Sequence, residues 1–192
     1  MPVSYVMAHR TLPKQGEFAN GDAVVLRIEG EVALVAAIDA LGHGELAEHA
    51  AHKAVAFLEA WPLSEDLRDG MQGLHEVLRG SRGAAASVCL LRGQELVFCG
   101  VGNVEVRCFG TKAPILLSPG VLGARVQQFR MCRATLADGS RLVLYSDGIS
   151  HRAPFEALHP LDPEGLCEEL IRNHRKTSDD ATAVVCDLRA KA

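Results

Sequence analysis

The sequence predicts an α+β protein in which antiparallel sheets are covered by helices. Three observations carry this. Apolar residues alternate in short runs near both ends of the chain. The period lengthens to three or four residues in two adjacent stretches between 46 and 78, and again over 163–173. Between them, strand-like runs follow one another without intervening helices, unlike the regular alternation that builds a parallel sheet.

Residues 4–8 form the first strand-like run. The next is 23–29, with Val24, Leu26 and Ile28 alternating, and 32–38 follows a Gly30-Glu31 turn, which makes a hairpin ending at Asp39. Leu46, Ala50, Ala54, Phe57 and Trp61 then make one helical stripe, stopped by Pro62. Ser64 is the N-cap candidate of a second helix that carries Leu67, Met71, Leu74 and Leu78 on one face. From residue 84 the period returns to two, giving runs at 84–91, 95–100, 104–109, 129–136 and 141–145, parted by Gly, Asn or Asp turns. A third helix is predicted over 163–173. Pro163 sits in the first turn, where its missing N–H costs nothing, and Leu166, Leu170 and Ile171 form the apolar side. Residues 181–188 read as a last strand.

With 192 residues, 48% hydrophobic and 23% charged, the chain is expected to form a single domain over 1–192 with a core of its own. The net charge of −4, with no basic run longer than Arg175-Lys176, argues against nucleic acid as a partner. The apolar run 32–38 is too short to span a bilayer, and residues 1–10 lack the pattern of an export signal, so a cytoplasmic location is expected and no membrane. The cysteines at 89, 99, 108, 132, 167 and 186 never form Cys-x-x-Cys and read as buried thiols.

Four motifs put an Asp at a strand end: Asn20-Gly21-Asp22, Asp39-Ala-Leu-Gly-His-Gly44, Ser146-Asp147-Gly148 and Ser178-Asp179-Asp180-Ala-Thr182. Carboxylates from several strand ends repel one another unless hard cations sit among them, so the set points to Mg²⁺ or Mn²⁺. Val143, Tyr145 and Asp147 are expected to share a strand face, with the acid one pleat beyond a buried pair. The bland reading of any one Asp-Gly pair is a hairpin corner, which suits Asp69-Gly70 best. Gly100-Val-Gly-Asn103 lacks the third glycine of a dinucleotide loop and precedes a strand. It reads as a tight turn whose glycines let a ligand approach the backbone, with Asn103 a candidate substrate contact. His43, between glycines and just before a helix, reads more readily as a loop or N-cap residue than as a catalyst.

Asp39-Ala-Leu-Gly-His-Gly, Leu144-Tyr-Ser-Asp147-Gly and Asp179-Asp-Ala-Thr stand in the order found in metal-dependent (PPM-type) serine/threonine protein phosphatases. The chain resembles that family over about 21–188, and its SpoIIE branch in particular. Gly100-Val-Gly-Asn103-Val and Pro119-Gly-Val-Leu-Gly123 add a likeness to the small stand-alone stressosome phosphatases of that branch. The resemblance implies a four-layer α-β-β-α sandwich of two antiparallel sheets flanked by helices. It also implies two Mn²⁺ or Mg²⁺ ions, with Asp39 bridging, Asp22, Asp147 and Asp179 each given to one ion or the other, and the Ala40 carbonyl as a further ligand. Asp39 and Asp147 would then carry catalysis, with water attacking the phosphoryl group directly and no covalent intermediate. The implied substrate is phosphoserine or phosphothreonine on a stressosome scaffold protein. The alternatives are an anti-sigma-factor antagonist as substrate, or a module that binds a phosphoprotein without turnover. Many relatives grip the phosphate with an N-terminal Arg, for which Arg10 is the only candidate here. They also place a His two residues after the bridging acid, whereas His43 lies four after Asp39, and no substrate-contacting flap is evident.

Overall fold

The structure, a computed structural model, describes residues 3–190. In chain order it has β1 (Val3–Leu12), β2 (Asp22–Glu29), β3 (Val32–Ala40), α1 (Glu45–Ala60), α2 (Leu67–Val77), β4 (Ala84–Arg92), β5 (Glu95–Val101) and β6 (Glu105–Phe109). There follow β7 (Leu117–Ser118), β8 (Gly120–Val121), β9 (Arg125–Val126), β10 (Cys132–Thr135), β11 (Arg141–Tyr145), α3 (Phe155–Leu158), α4 (Pro163–His174) and β12 (Ala181–Ala190). One sheet runs β10-β5-β4-β3-β2, and the other β1-β12-β11-β6. The neighbours in these two orders pair antiparallel. Two-residue β7 lengthens the β10 edge by pairing parallel with Gly100 and Val101.

Three apolar interfaces separate four layers, and the strand sequences show why. Along β3, Leu34, Ala36, Ile38 and Ala40 pack with α1 and α2, while Ala33, Val35 and Ala37 face the opposing sheet. Along β12 the alternation repeats: Val184, Cys186 and Leu188 enter the gap between sheets, and Ala181, Ala183 and Val185 meet α4. Both strands are covered on both faces, which is why they read as nearly continuous apolar runs. The expected four-layer α+β sandwich is the observed one.

Differences from the sequence expectations are local. The second helix is capped by Asp66, whose carboxylate accepts from Arg68 N at 2.8 Å, and not by Ser64. The expected strand 129–136 shortens to Cys132–Thr135. The strands β7, β8 and β9 and the one-turn α3 are too short to show a period. All six cysteines are free thiols, five of them buried. Among the described residues no helix is long and apolar enough to cross a membrane.

One buried ion pair fastens the outer layer. Arg141 and Asp187 are register partners on β11 and β12, with Nε to Oδ1 at 2.5 Å and Nη2 to Oδ2 at 2.7 Å. Arg141 Nη1 also donates to the carbonyls of His159 and Leu161, at 2.7 Å each, which fixes the approach to α4. Arg141→Met leaves the buried Asp187 carboxylate with only the longer contact to Arg189 at 3.6 Å, so it is expected to cost about 3 kcal/mol in urea unfolding, the lower end of the range for a broken buried pair. A loss below about 1 kcal/mol, the worth of an exposed pair, would show that this contact does not fasten the layer.

Candidate active site

The helix-capped sheet and its partner part at one end, and the acids collect there. Register places Asp22 directly opposite Asp39 on β2 and β3. By strand parity Asp39 continues the row Ala33, Val35, Ala37 into the gap between the sheets. Two carboxylates directly opposed across an antiparallel pair repel. Asp22 is only 5% exposed. Ser146 Oγ donates to its Oδ2 at 2.6 Å and accepts from Thr182 N at 3.0 Å, so a polar bridge joins the two sheets at this end. Burial pushes the Asp22 carboxyl up to about 7, against the opposing pull of hydrogen bonds from Ser146 and Thr182. Asp39 is pushed up to about 8, first by burial and then by the charges of Asp22, Asp147, Asp179 and Asp180.

Asp147 arrives by a route that differs from the expected one. β11 ends at Tyr145, and Val143 and Tyr145 face the α4 layer. A turn at Ser146 breaks the alternation and swings Asp147 out to the crevice instead of leaving it on that face. Asn103 Nδ2 donates to Asp147 Oδ2 at 2.8 Å, and Lys176 Nζ donates to its main-chain carbonyl. Gly148 follows because nothing larger fits: a Cβ there would lie 1.8 Å from the Asp180 carbonyl oxygen. The neighbours Asp179 and Asp180 divide. Asp179 lines the crevice, whereas Asp180 is buried and accepts from Lys14 N at 2.7 Å and Gly21 N at 2.8 Å.

The resulting crevice of about 430 Å³ is lined by Asp39, Asp147 and Asp179 together with Lys14, His43, Asn103 and Ser178. Asp22 stands behind Asp39, and Ala40 is buried beside it with its side chain in the helix-facing core. None of Asp22, Asp39, Asp147 and Asp179 is paired with Lys, Arg or His among the described ion pairs. An all-oxygen set of acids, two of them with their charged form disfavoured, is the chemistry that a hard divalent cation relieves. Among the described residues no three His, Cys, Asp or Glu side chains already close on one point. They line the walls of the crevice, an arrangement suited to Mg²⁺, which takes one or two carboxylates and keeps several waters.

Arg10 is not in this crevice. It lies on the outer face of β1, paired with Glu164 at 2.6 Å and Glu168 at 3.3 Å on α4. The basic side chain that does line the crevice is Lys14, which the motifs do not mark. His43 lines it as well and is not the helix cap, a position held by Gly44. The glycines on either side, at φ 83° and 79°, take left-handed angles that present the imidazole to the crevice.

Comparison with known proteins identifies the fold. No family model matches the chain. Its fold is that of the metal-dependent serine/threonine protein phosphatases: the catalytic domain of PstP, solved in complex with two manganese ions, superposes with a TM-score of 0.77 at 18% identity, over 98% of this chain and 100% of that one. In sequence the chain is similar to RsbX. It is 26% identical over 145 residues to the phosphoserine phosphatase RsbX of Bacillus subtilis (strain 168), which is 72% of each chain. A crystal structure of RsbX in complex with magnesium gives a TM-score of 0.84 at 22% identity, covering 96% of this chain and 95% of the other. A chain from work on the bacterial stressosome as a system adapted to control secondary messenger signalling gives 0.89 at 29%, covering 95% and 99%.

Two outcomes follow from the geometry. A carboxyl whose folded-state value is about 8 instead of 3.8 takes up a proton on folding between those values, so its contribution to stability is lost as pH rises through that window. Asp39→Asn removes this penalty and is expected to raise the melting temperature in EDTA at pH 8 by at least about 2–4 °C, the shift that 1 kcal/mol gives a chain of this size. The gain should shrink toward pH 5, and an unchanged melting point at pH 8 would contradict the crowding of charge. Gly148→Ala, by contrast, must displace backbone and is expected to cost about 3 kcal/mol or more, or to prevent folding. Wild-type urea stability in that variant would rule out the tight crossing of Gly148 and Asp180.

Proposed function

We propose that the chain, with residues 1–192 acting as one domain, is a metal-dependent protein phosphatase. Its substrate would be phosphoserine or phosphothreonine on a regulatory protein of bacterial stress signalling, in the cytoplasm. The observation that carries the reading is the uncompensated carboxylate crevice where the two sheets part, in a chain similar to RsbX over most of its length. Asp22, Asp39, Asp147 and Asp179 would hold two Mn²⁺ or Mg²⁺ ions, with the Ala40 carbonyl as a further donor. Such ions, when bound, acidify water and neutralise phosphoryl oxygens.

The remaining work belongs to the chain's own groups. Ser146 and Thr182 keep Asp22 aimed from the opposing sheet. Asn103 holds the Asp147 carboxylate at the rim, where a millimolar solute or a protein loop can reach it. Both Asp180 oxygens are occupied by backbone amides, which supports direct attack by water over an aspartyl-phosphate at this pair. A protein substrate fits the crevice better than a metabolite. The single Trp and both Tyr are buried elsewhere, so a small molecule finds no aromatic wall, and affinity must come from an extended surface. A stressosome scaffold protein is the favoured substrate, and an anti-sigma-factor antagonist the runner-up.

The test compares a phosphorylated stressosome scaffold, a phosphorylated anti-sigma-factor antagonist and free phosphoserine, each with Mn²⁺, Mg²⁺ or EDTA. Turnover is expected only with metal, with kcat/KM for the scaffold exceeding that for free phosphoserine by roughly a hundredfold. Equal values would refute the protein-substrate reading, and no turnover with either metal would leave a phosphoprotein-binding module. Asn103→Asp sets a second carboxylate against Asp147 and is expected to lower kcat/KM by roughly tenfold or more at an unchanged melting temperature. Full activity in Asn103→Gly would remove this side chain from the site.

A further inference from the structure

Three side chains at the crevice rim form a chain of contacts that the acids do not require. His43 Nδ1 lies 3.0 Å from Glu17 Oε1, and His43 Nε2 lies 3.1 Å from Lys14 Nζ. The ring nitrogen facing a carboxylate carries the proton, which leaves Nε2 to accept from the ammonium. One of the three Lys14 N–H groups is used in this way. The ammonium makes no ion pair among the described residues, although Asp39, Asp147 and Asp179 line the same crevice.

The backbone beneath it is fixed at three points. Lys14 N donates to Asp180 Oδ1 at 2.7 Å, Gln15 N to the Thr177 carbonyl at 3.1 Å, and Glu17 N to the Lys14 carbonyl at 3.0 Å. A lysine on a freely moving loop would collapse onto the nearest carboxylate. Held by an imidazole from one side and by its own backbone from below, this one keeps its charge for an incoming anion and loses little entropy when the anion arrives. An ammonium with two free donors, set over a crevice that cations would otherwise fill, matches the outer oxygens of a phosphoryl group.

We propose that Lys14 binds the phosphoryl oxygens of the ligand in the crevice, with His43 as the residue that aims it and Glu17 as the residue that orients His43. Only the identity of the phosphate's carrier rests on the phosphatase reading. The competing role for Lys14 is as a counter-charge that merely offsets the acids. In that case its removal would lower the stability of the metal-free protein and leave phosphate affinity alone.

The experiment titrates inorganic phosphate into the full chain in the presence of Mg²⁺ by calorimetry, beside p-nitrophenyl phosphate turnover and melting in EDTA. Lys14→Met is expected to weaken phosphate roughly tenfold or more and to raise KM more than it lowers kcat, while Lys14→Arg stays within about threefold of wild type. His43→Ala and Glu17→Gln should each weaken phosphate by about threefold, and His43→Ala should add nothing in the Lys14→Met background. Unchanged phosphate affinity in Lys14→Met would overturn the proposal, as would a wild-type chain that binds no phosphate. An additive effect of His43→Ala would overturn its aiming role. A wild-type chain that binds phosphate through Lys14 yet hydrolyses nothing would refute the phosphatase reading and leave the Lys14 assignment standing.

Discussion

The carboxylate of Asp180 accepts one hydrogen bond from Lys14 N and another from Gly21 N. These two amides stand at opposite ends of the connection between β1 and β2, which belong to different sheets. One buried side chain at the start of β12 therefore fixes the path by which the chain crosses between layers. It sets where Asp22 enters β2 and where Lys14 leaves the backbone. Its carbonyl, on the other side, leaves room only for a glycine at 148, so the turn carrying Asp147 is shaped by the same residue. An acid whose two oxygens are taken by backbone amides thus positions those that line the crevice and the cation beside them.

The energetic tension of the molecule is concentrated at this end. Elsewhere the gap between sheets is filled by Val35, Phe98, Leu144 and Val184, and no buried side-chain polar atom among the described residues lacks a hydrogen-bond partner. Near the crevice the apolar filling gives way to Asp22, Ser146, Thr182 and Thr11, linked in sequence across the two sheets. Carboxylates opposed across a ladder lower stability, and the fold tolerates them because three buried apolar interfaces lie behind. Strain is thus kept where a ligand can relieve it.

How far the sequence reveals this depends on the range of the interactions. The runs in β3, β4 and β12 and the stripes of α1 and α4 are local patterns, and they give the layers directly. The four Asp motifs are local too, so the acids can be named. What local pattern cannot supply is the partner of each residue. Asp179 and Asp180 are adjacent and chemically identical, and only the amides of Lys14 and Gly21 assign one of them to structure. Arg10 and Lys14 are both basic residues near the start of the chain. Arg10 stays on strand β1 and turns out toward α4, while Pro13 follows the end of that strand and frees Lys14 to enter the loop. Parity reasoning carries Val143 and Tyr145 correctly and fails at Asp147, because the strand stops one residue before the motif begins.

The pairing of β1 with β12 joins Val3 to Ala190 and Leu12 to Ala181. Contacts so distant in sequence carry the largest loop-closure cost and form late. Until β12 docks, β1 has no strand partner, Asp180 is not beneath Lys14, and Ser146 Oγ has no Thr182 amide to accept from. A chain folding as it emerges from the ribosome can therefore assemble the β2-β3-β4-β5 layer with its helices long before it has a crevice. Until that strand docks, Asp22 and Asp39 lie on an uncovered face of their sheet, apart from Asp147 and Asp179, so the crevice itself comes into being with the docking of one strand.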